Sequence, residues 1–263
     1  MQTIDIVVPC YNEQEVIAAF YDETSKHVAA INNYSFRYIF VNDGSRDNTL
    51  LLLKGLAADH DDVRYVSFSR NFGKEAAMFA GLKNSTVDAD LQHPPALFPK
   101  LIEGIEEGHD CCAAYRTTRT GERKIRSAFS QSFYKLNNKL TNTKMPYGAV
   151  DYRIMSRQMV DSLVALPEKE RFSKGLFCWV GYDTKWIPYE NVERTLGTTK
   201  WKFSGLVKYA MDAIVSFSVA PLRMLSVIGA AISTLALLYG FYLLIKTLAF
   251  GKDIPGYAST III

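Results

Sequence analysis

The sequence predicts an α/β fold: a Rossmann-like mixed, mostly parallel sheet with helices on both faces, followed by a C-terminal transmembrane helical hairpin. Three observations predict it. Short β-branched runs alternate with segments whose apolar residues recur at helical spacing. The loops after those runs are polar and rich in carboxylates, and ligands bind beyond the carboxyl ends of parallel strands. Nearly all strongly apolar, charge-poor sequence lies after Pro221.

The elements follow in order. Ile4 to Val8 reads as a strand stopped by Pro9, and Glu13 to Ile31 as a helix. Tyr38 to Val41 is a second strand, closed by the turn Asn42-Asp43-Gly44-Ser45. Asp47 suits the cap of a Leu-rich helix over Asn48 to Ala58. Val63 to Phe68 is the next strand and Lys74 to Leu82 the next helix. Chemistry is therefore expected in four loops, beginning at Pro9, Asn42, Ser69 and Asp88.

Composition narrows the class. A chain of 263 residues, 48% hydrophobic, buries a real core, which excludes a disordered or disulfide-stapled peptide. A formal charge of +3 is too small and too evenly spread to coat nucleic acid. Cys10, Cys111, Cys112 and Cys178 lack metal-ligand spacing and read as small buried residues of a reduced compartment. The first apolar run, interrupted by Asp5 and ended at Pro9, is too short for a signal peptide, so the N-terminal domain is expected in the cytoplasm.

Two carboxylates at i and i+2, Asp88 and Asp90 around Ala89, repel each other unless a cation or proton lies between them. A hard divalent cation shared with substrate phosphates is the economical reading. Neither the P-loop pattern nor a G-x-G-x-x-G after the first strand occurs, so a nucleotide must be held another way.

Taken together, Val8-Pro9-Cys10-Tyr11-Asn12-Glu13, Val41-Asn42-Asp43-Gly44-Ser45, Ser69-Arg70-Asn71-Phe72-Gly73-Lys74-Glu75 and Asp88-Ala89-Asp90-Leu91-Gln92 resemble the family 2 glycosyltransferases of the GT-A fold. Gly148 to Arg153, Arg171-Phe172-Ser173-Lys174-Gly175, and Arg194 with Gly197, Thr199, Lys200 and Trp201 resemble the polyprenyl-phosphate group, which contains dolichol-phosphate mannose synthases and bactoprenol glucosyltransferases.

The resemblance implies site residues. Pro9, Tyr11, Asn12, Glu13 and Asp43 would hold the nucleoside of a nucleotide-sugar donor, with Ala89 and Gln92 beside them. Asp88 and Asp90 would place Mg²⁺ or Mn²⁺ on its diphosphate, Asp90 being the direct ligand. Arg116, Arg194 and Lys200 would close over the phosphates, and Asp151 would lie beside the reacting centre. Arg119, Arg126, Arg171 and Lys174 would meet the acceptor phosphate, with Arg123 and Lys124 in the same acceptor loop. A polyprenyl phosphate and the lipid bilayer are the implied partners, nucleic acid is not, and a homo-oligomer is compatible with the group.

A lipid monophosphate has a second pKa of about 6 and is largely ionised at neutral pH, so the attack needs little base catalysis. Asp151 is accordingly expected to orient rather than deprotonate, and Asp90→Asn to lose more transfer than Asp151→Asn. UDP-glucose is the first choice of donor and UDP-N-acetylglucosamine the second, with mannose donors also used in the group. A processive polysaccharide synthase lacks its Q-x-x-R-W motif here, and a non-catalytic assembly protein would not need the aspartate pair.

Met224 to Ile245 carries no charged side chain over 22 residues, enough to cross roughly 30 Å of hydrocarbon. Tyr257 to Ile263 begins a second apolar segment. Lys200, Lys202, Lys208 and Arg223 before the first span place that side in the cytoplasm. Expected domains are thus 1–195 catalytic, 196–221 interfacial and 222–263 membrane hairpin of a bacterial cell-membrane protein. One step breaks the pattern. An apolar strand delivers the aspartate pair in the family, yet only Ser85, Thr86 and Val87 separate the helix ending near Asn84 from Asp88. Three residues cannot leave a helix, cross to the sheet and form a strand of typical length, so residues are expected to be missing there.

Overall fold

The computed structural model describes residues 2–85, 88–90, 95–117, 146–168, 171–190 and 220–251, with backbone alone at 88–90, 95, 220 and 221. The chain divides into two compact units, Met1–Phe217 and Ser218–Ile263.

In the first unit, strands and helices alternate as β1 (Gln2–Cys10), α1 (Ile17–Val28), β2 (Tyr34–Asn42), α2 (Thr49–Asp59), β3 (Val63–Ser67), α3 (Lys74–Asn84) and β4 (Asp88–Asp90). Then come α4 (Phe98–Glu106), β5 (Cys111–Arg116), β6 (Ala149–Met155), α5 (Arg157–Ala165), α6 (Ser173–Trp179) and β7 (Thr184–Tyr189). They form one seven-stranded sheet in the order β3-β2-β1-β4-β6-β5-β7. β6 alone runs against both its neighbours, so the sheet is mixed and mostly parallel. The carboxyl ends of β1, β2, β3 and β5 and the start of β6 therefore share one rim.

The predicted elements fall where their periodicity puts them, with differences at the ends: β2 begins four residues earlier, at Tyr34, and α1 ends at Val28 rather than Ile31. The first helix starts at Ile17 rather than Glu13, because the Glu13 carbonyl accepts the N–H groups of Val16 and Ile17 in a turn. β1 runs on to Cys10 rather than stopping at Val8, since Pro9 still pairs with Val41 of β2. α1 buries Ile17, Tyr21, Thr24 and Val28, one stripe at helical spacing. α4 buries Phe98, Leu101 and Ile102 in the same core, against Tyr152 and Ile154 of β6 and Ile4 and Ile6 of β1. α3 packs on β1 so tightly that a Cβ on Gly81 would lie 2.1 Å from the Val7 side chain.

The second unit is described by α7 (Ala220–Phe250), a helix of 31 residues. At 1.5 Å per residue it is about 46 Å long, more than a hydrocarbon core needs. Leu222–Phe250 has mean hydropathy 2.0 and is long and apolar enough to cross a membrane. Its Ser226 and Thr234 hydroxyls donate back to the carbonyls of Leu222 and Ala230, so neither is left unsatisfied along the helix. The second helix of the expected hairpin and the interfacial segment 201–217 lie outside the described residues.

Candidate active site

The loops after β1 and β2 are stitched to one another. Asn12 takes a left-handed φ of 54°, a conformation that asparagine tolerates better than most residues. There its Oδ1 accepts the Arg46 N–H at 2.8 Å, and its own N–H donates to Ser45 Oγ at 3.0 Å. Glu13 N–H donates to Thr49 Oγ1, and Gln14 Oε1 accepts the Asn48 N–H. Asp47 Oδ1 accepts the Thr49 N–H across two residues, while the N-cap position of α2 falls to Asn48 rather than to Asp47 as expected. Pro9, Tyr11, Asn12 and Glu13 thus sit half-buried on a rigid rim.

Asp43 is buried, and both its oxygens are engaged: Oδ1 accepts the Phe72 N–H at 2.6 Å and Oδ2 the Gly73 N–H at 2.9 Å. It ties the loop after β2 to the loop after β3. The next residue, Gly44 at φ 62°, lies against the backbone of that second loop, where a Cβ would be 2.2 Å from the Arg70 carbonyl carbon. Gly44→Ala is therefore expected to cost about 2 kcal/mol or more, since both strain and a backbone clash must be relieved. Urea unfolding measures it, and wild-type stability would count against this geometry.

The strongest electrostatic feature lies at the start of β6. Lys74 Nζ, at the first position of α3, donates to Asp151 Oδ2 at 2.6 Å. Lys174 Nζ donates to the Ala149 carbonyl at 3.2 Å and adds a second positive charge near Asp151. Burial by itself would raise the Asp151 carboxyl, but the charges of Lys74, Lys174 and Arg153 outweigh it and hold the group well below the usual carboxylate range. Asp151 Oδ1 is buried and has no hydrogen-bond partner among the described residues.

Arg116, the last residue of β5, donates from Nε to the Tyr189 hydroxyl at 2.8 Å and lines an open cleft with Tyr115, Thr117, Tyr147 and Trp186. Arg171 is placed differently from the expectation of an acceptor-phosphate ligand. Its guanidinium donates to the carbonyls of Leu163 and Leu166, at the C-terminus of α5, and stacks 4.3 Å from the Phe79 ring centroid. A cation there satisfies orphan carbonyls and the helix dipole.

Four participants carried no role in the sequence reading, although each sits in a quoted motif. Lys74 holds Asp151. Glu75 Oε2 accepts the N–H of Ser173, at 2.9 Å, and its hydroxyl, fastening α3 to the first residue of α6. Arg153 is buried, 3.9 Å from the Phe177 ring centroid, and donates to the Val150 carbonyl. Sequence adjacency to rim residues was the available signal for all four; the Lys74–Asp151 and Glu75–Ser173 pairings span 77 and 98 positions and are invisible locally.

Asp88, Ala89 and Asp90 do not stand on the rim. They are β4 itself, with Cα partners Asp5, Ile6 and Val7 on β1 and Met155, Ile154 and Arg153 on β6. β1 continues three residues beyond Val7, so Asp90 lies about 10 Å short of its end. A divalent cation at the loops does not fit a pair in this register. Gln92, Arg119, Arg126, Arg194 and Lys200, and with them most of the expected acceptor loop, lie outside the described residues.

Residues 5–164 match the glycosyl transferase family 2 model. The chain belongs to that family. Family 2 relatives align along almost all of it: CsbB of Bacillus subtilis (strain 168) is 44% identical over 98% of this chain and 80% of its own length. The bactoprenol glucosyl transferase of Shigella phage SfX is 37% identical over 98% of this chain and 87% of its own. A prophage bactoprenol glucosyl transferase homolog of Escherichia coli (strain K12) is likewise 37% identical. Among solved structures, mannosyl-3-phosphoglycerate synthase from Rubrobacter xylanophilus superposes with a TM-score of 0.52 at 16% identity, over 86% of this chain and 75% of its own. That likeness is of fold alone, the GT-A arrangement expected for family 2.

Proposed function

We propose that this family 2 glycosyltransferase moves glucose from UDP-glucose to undecaprenyl phosphate at the cytoplasmic face of a bacterial membrane. The observation that carries the reading is Asp151, held between Lys74 and Lys174 at the rim of a family 2 sheet. The names of the bactoprenol glucosyl transferase relatives support the lipid acceptor, and the long apolar α7 supports attachment to the bilayer that holds it.

A phosphate oxygen of the lipid attacks the anomeric carbon while its bond to the nucleoside diphosphate breaks, so a single displacement inverts that carbon. The attacking phosphate is already ionised near neutral pH, and Asp151, kept a weak base by its lysines, orients the reactants rather than deprotonating them. Lys174 and Arg116 offer positive charge to the two phosphate-bearing substrates. The Mg²⁺ or Mn²⁺ implied by the family does not fit the observed register of Asp88 and Asp90, and no step is drawn through it.

A screen of nucleotide-sugars against undecaprenyl phosphate, with protein in excess so that slow transfer is counted, tests the reading. Glucosyl phospholipid should dominate. Lipid product from another sugar alone would correct the donor, and none from any donor would overturn the reading.

A further inference from the structure

We infer that in this chain the α3–β4 connection is too short to carry Asp88 and Asp90 to the rim, so that they fill the sheet as β4 and a divalent cation contributes nothing to donor binding or transfer. The inference rests on the donor-site reading above.

Four observations converge. First, α3 cannot shift: Gly81 is seated on Val7, and Leu82 is buried one residue later. Second, α3 ends at Asn84 and β4 begins at Asp88, so three positions separate the helix from the strand. Third, the slot between β1 and β6 must be filled. Left empty, it would orphan backbone donors and acceptors of two buried strands, and the three residues 88–90 are what occupies it. Moving the pair to the rim would empty this slot or unwind the last turn of α3 and expose Leu82. Fourth, the alignments with CsbB and the phage enzyme run over 264 and 265 positions while covering only 98% of 263 residues, so several positions of each relative have no counterpart here.

The occupied slot is chemically unsuited to its sequence. A strand paired on both sides in an α/β sheet reads as a β-branched run, and Asp-Ala-Asp has the opposite character. Its Cα partners Asp5, Ile6, Val7, Arg153, Ile154 and Met155 are all buried. In the ladder Asp88 is level with Asp5 and Met155, and Asp90 with Val7 and Arg153. These register positions belong to a layer of the sheet, and neither residue is level with the loops that hold Asn12, Asp43 or Gly73.

The test restores the missing length. Six β-branched residues inserted after Val87 preserve the alternation of faces and would move Asp88 from the level of Asp5 to that of Tyr11. UDP binding by the full chain is measured by calorimetry with saturating MnCl₂ and with EDTA. The natural-length chain should change by less than about threefold between the two, and the lengthened chain should gain about tenfold with Mn²⁺, about 1.4 kcal/mol. Tenfold Mn²⁺ dependence in the natural-length chain, lost in Asp90→Asn, would overturn the inference and leave the donor reading standing. UDP binding by neither chain would overturn both. Should the lengthened chain not fold, Asp88→Val in the natural-length chain decides. Its melting temperature should rise by about 3 °C, because a β-branched residue suits a strand paired on both sides better than aspartate does. No rise, or a fall, would refute the placement.

Discussion

Asp151→Asn is expected to slow transfer about tenfold, a barrier increase of about 1.4 kcal/mol, while Asp90→Asn changes it less than about threefold. The order is the reverse of the one expected from the motifs alone. The reason is placement: Asp151 stands at the rim between Lys74 and Lys174, whereas Asp90 is level with Val7 inside the sheet. An asparagine at 151 keeps the shape and removes the charge, so two lysines face an amide. Initial rates at saturating donor and acceptor measure both variants. A far larger loss for Asp90→Asn would restore the motif-based division of roles.

The same variant has a signature in stability. The folded Asp151 carboxyl is held below its ordinary value, so it contributes stability that is fully present above a pKa of about 3.9 and is lost as pH falls through the folded value. Asp151→Asn should therefore flatten the decline of stability in strong acid and leave the slope near pH 7 unchanged. Transfer by the wild type should show its acid limb near pH 6, where the lipid phosphate takes up a proton.

Arg37→Met is expected to destabilise the domain by about 3 kcal/mol or more. Arg37 Nε and Nη2 donate to the two oxygens of Asp5 at 2.7 and 2.8 Å, a bidentate pair between β2 and β1. The Asp5 side chain is fully buried, so removing the guanidinium takes two charge-assisted hydrogen bonds from a desolvated carboxylate. Denaturant unfolding at pH 7 reads the loss, and Arg37→Met with Asp5→Leu should recover much of it, because an apolar pair leaves no charge to compensate. Equal stability of Arg37→Met and wild type would mean that solvent, not Arg37, satisfies Asp5.

Much of this was legible in the sequence because it follows from local pattern. Strand and helix periods announced the α/β alternation from Ile4 to Leu82, and the apolar run after Pro221 announced α7. The loops at Pro9, Asn42 and Ser69 were placed at the rim by the rule that ligands meet the carboxyl ends of parallel strands. Asp47 was read as the cap and stands one residue before it, bonding the Thr49 N–H from outside the helix. Even the short connection before Asp88 was visible, since strand length and the reach of three residues are elementary quantities.

Other features depend on partners far apart in the chain. That Asp151 is an ion-paired carboxylate required Lys74 from α3 to meet β6. That Asp43 clamps a loop required the backbone of Phe72 and Gly73 to arrive beside it. Arg171 reads locally like any phosphate-binding arginine, and only the meeting of its guanidinium with the Phe79 ring and the last carbonyls of α5 places it at the end of a helix. The sequence by itself determined the fold, the family and the shortage of residues before Asp88, because composition and period act over a few residues. Where Asp88 and Asp90 stand was decided by tertiary structure alone: α3 is pinned on Val7, the slot between β1 and β6 has backbone groups to satisfy, and the only residues at hand are the pair itself.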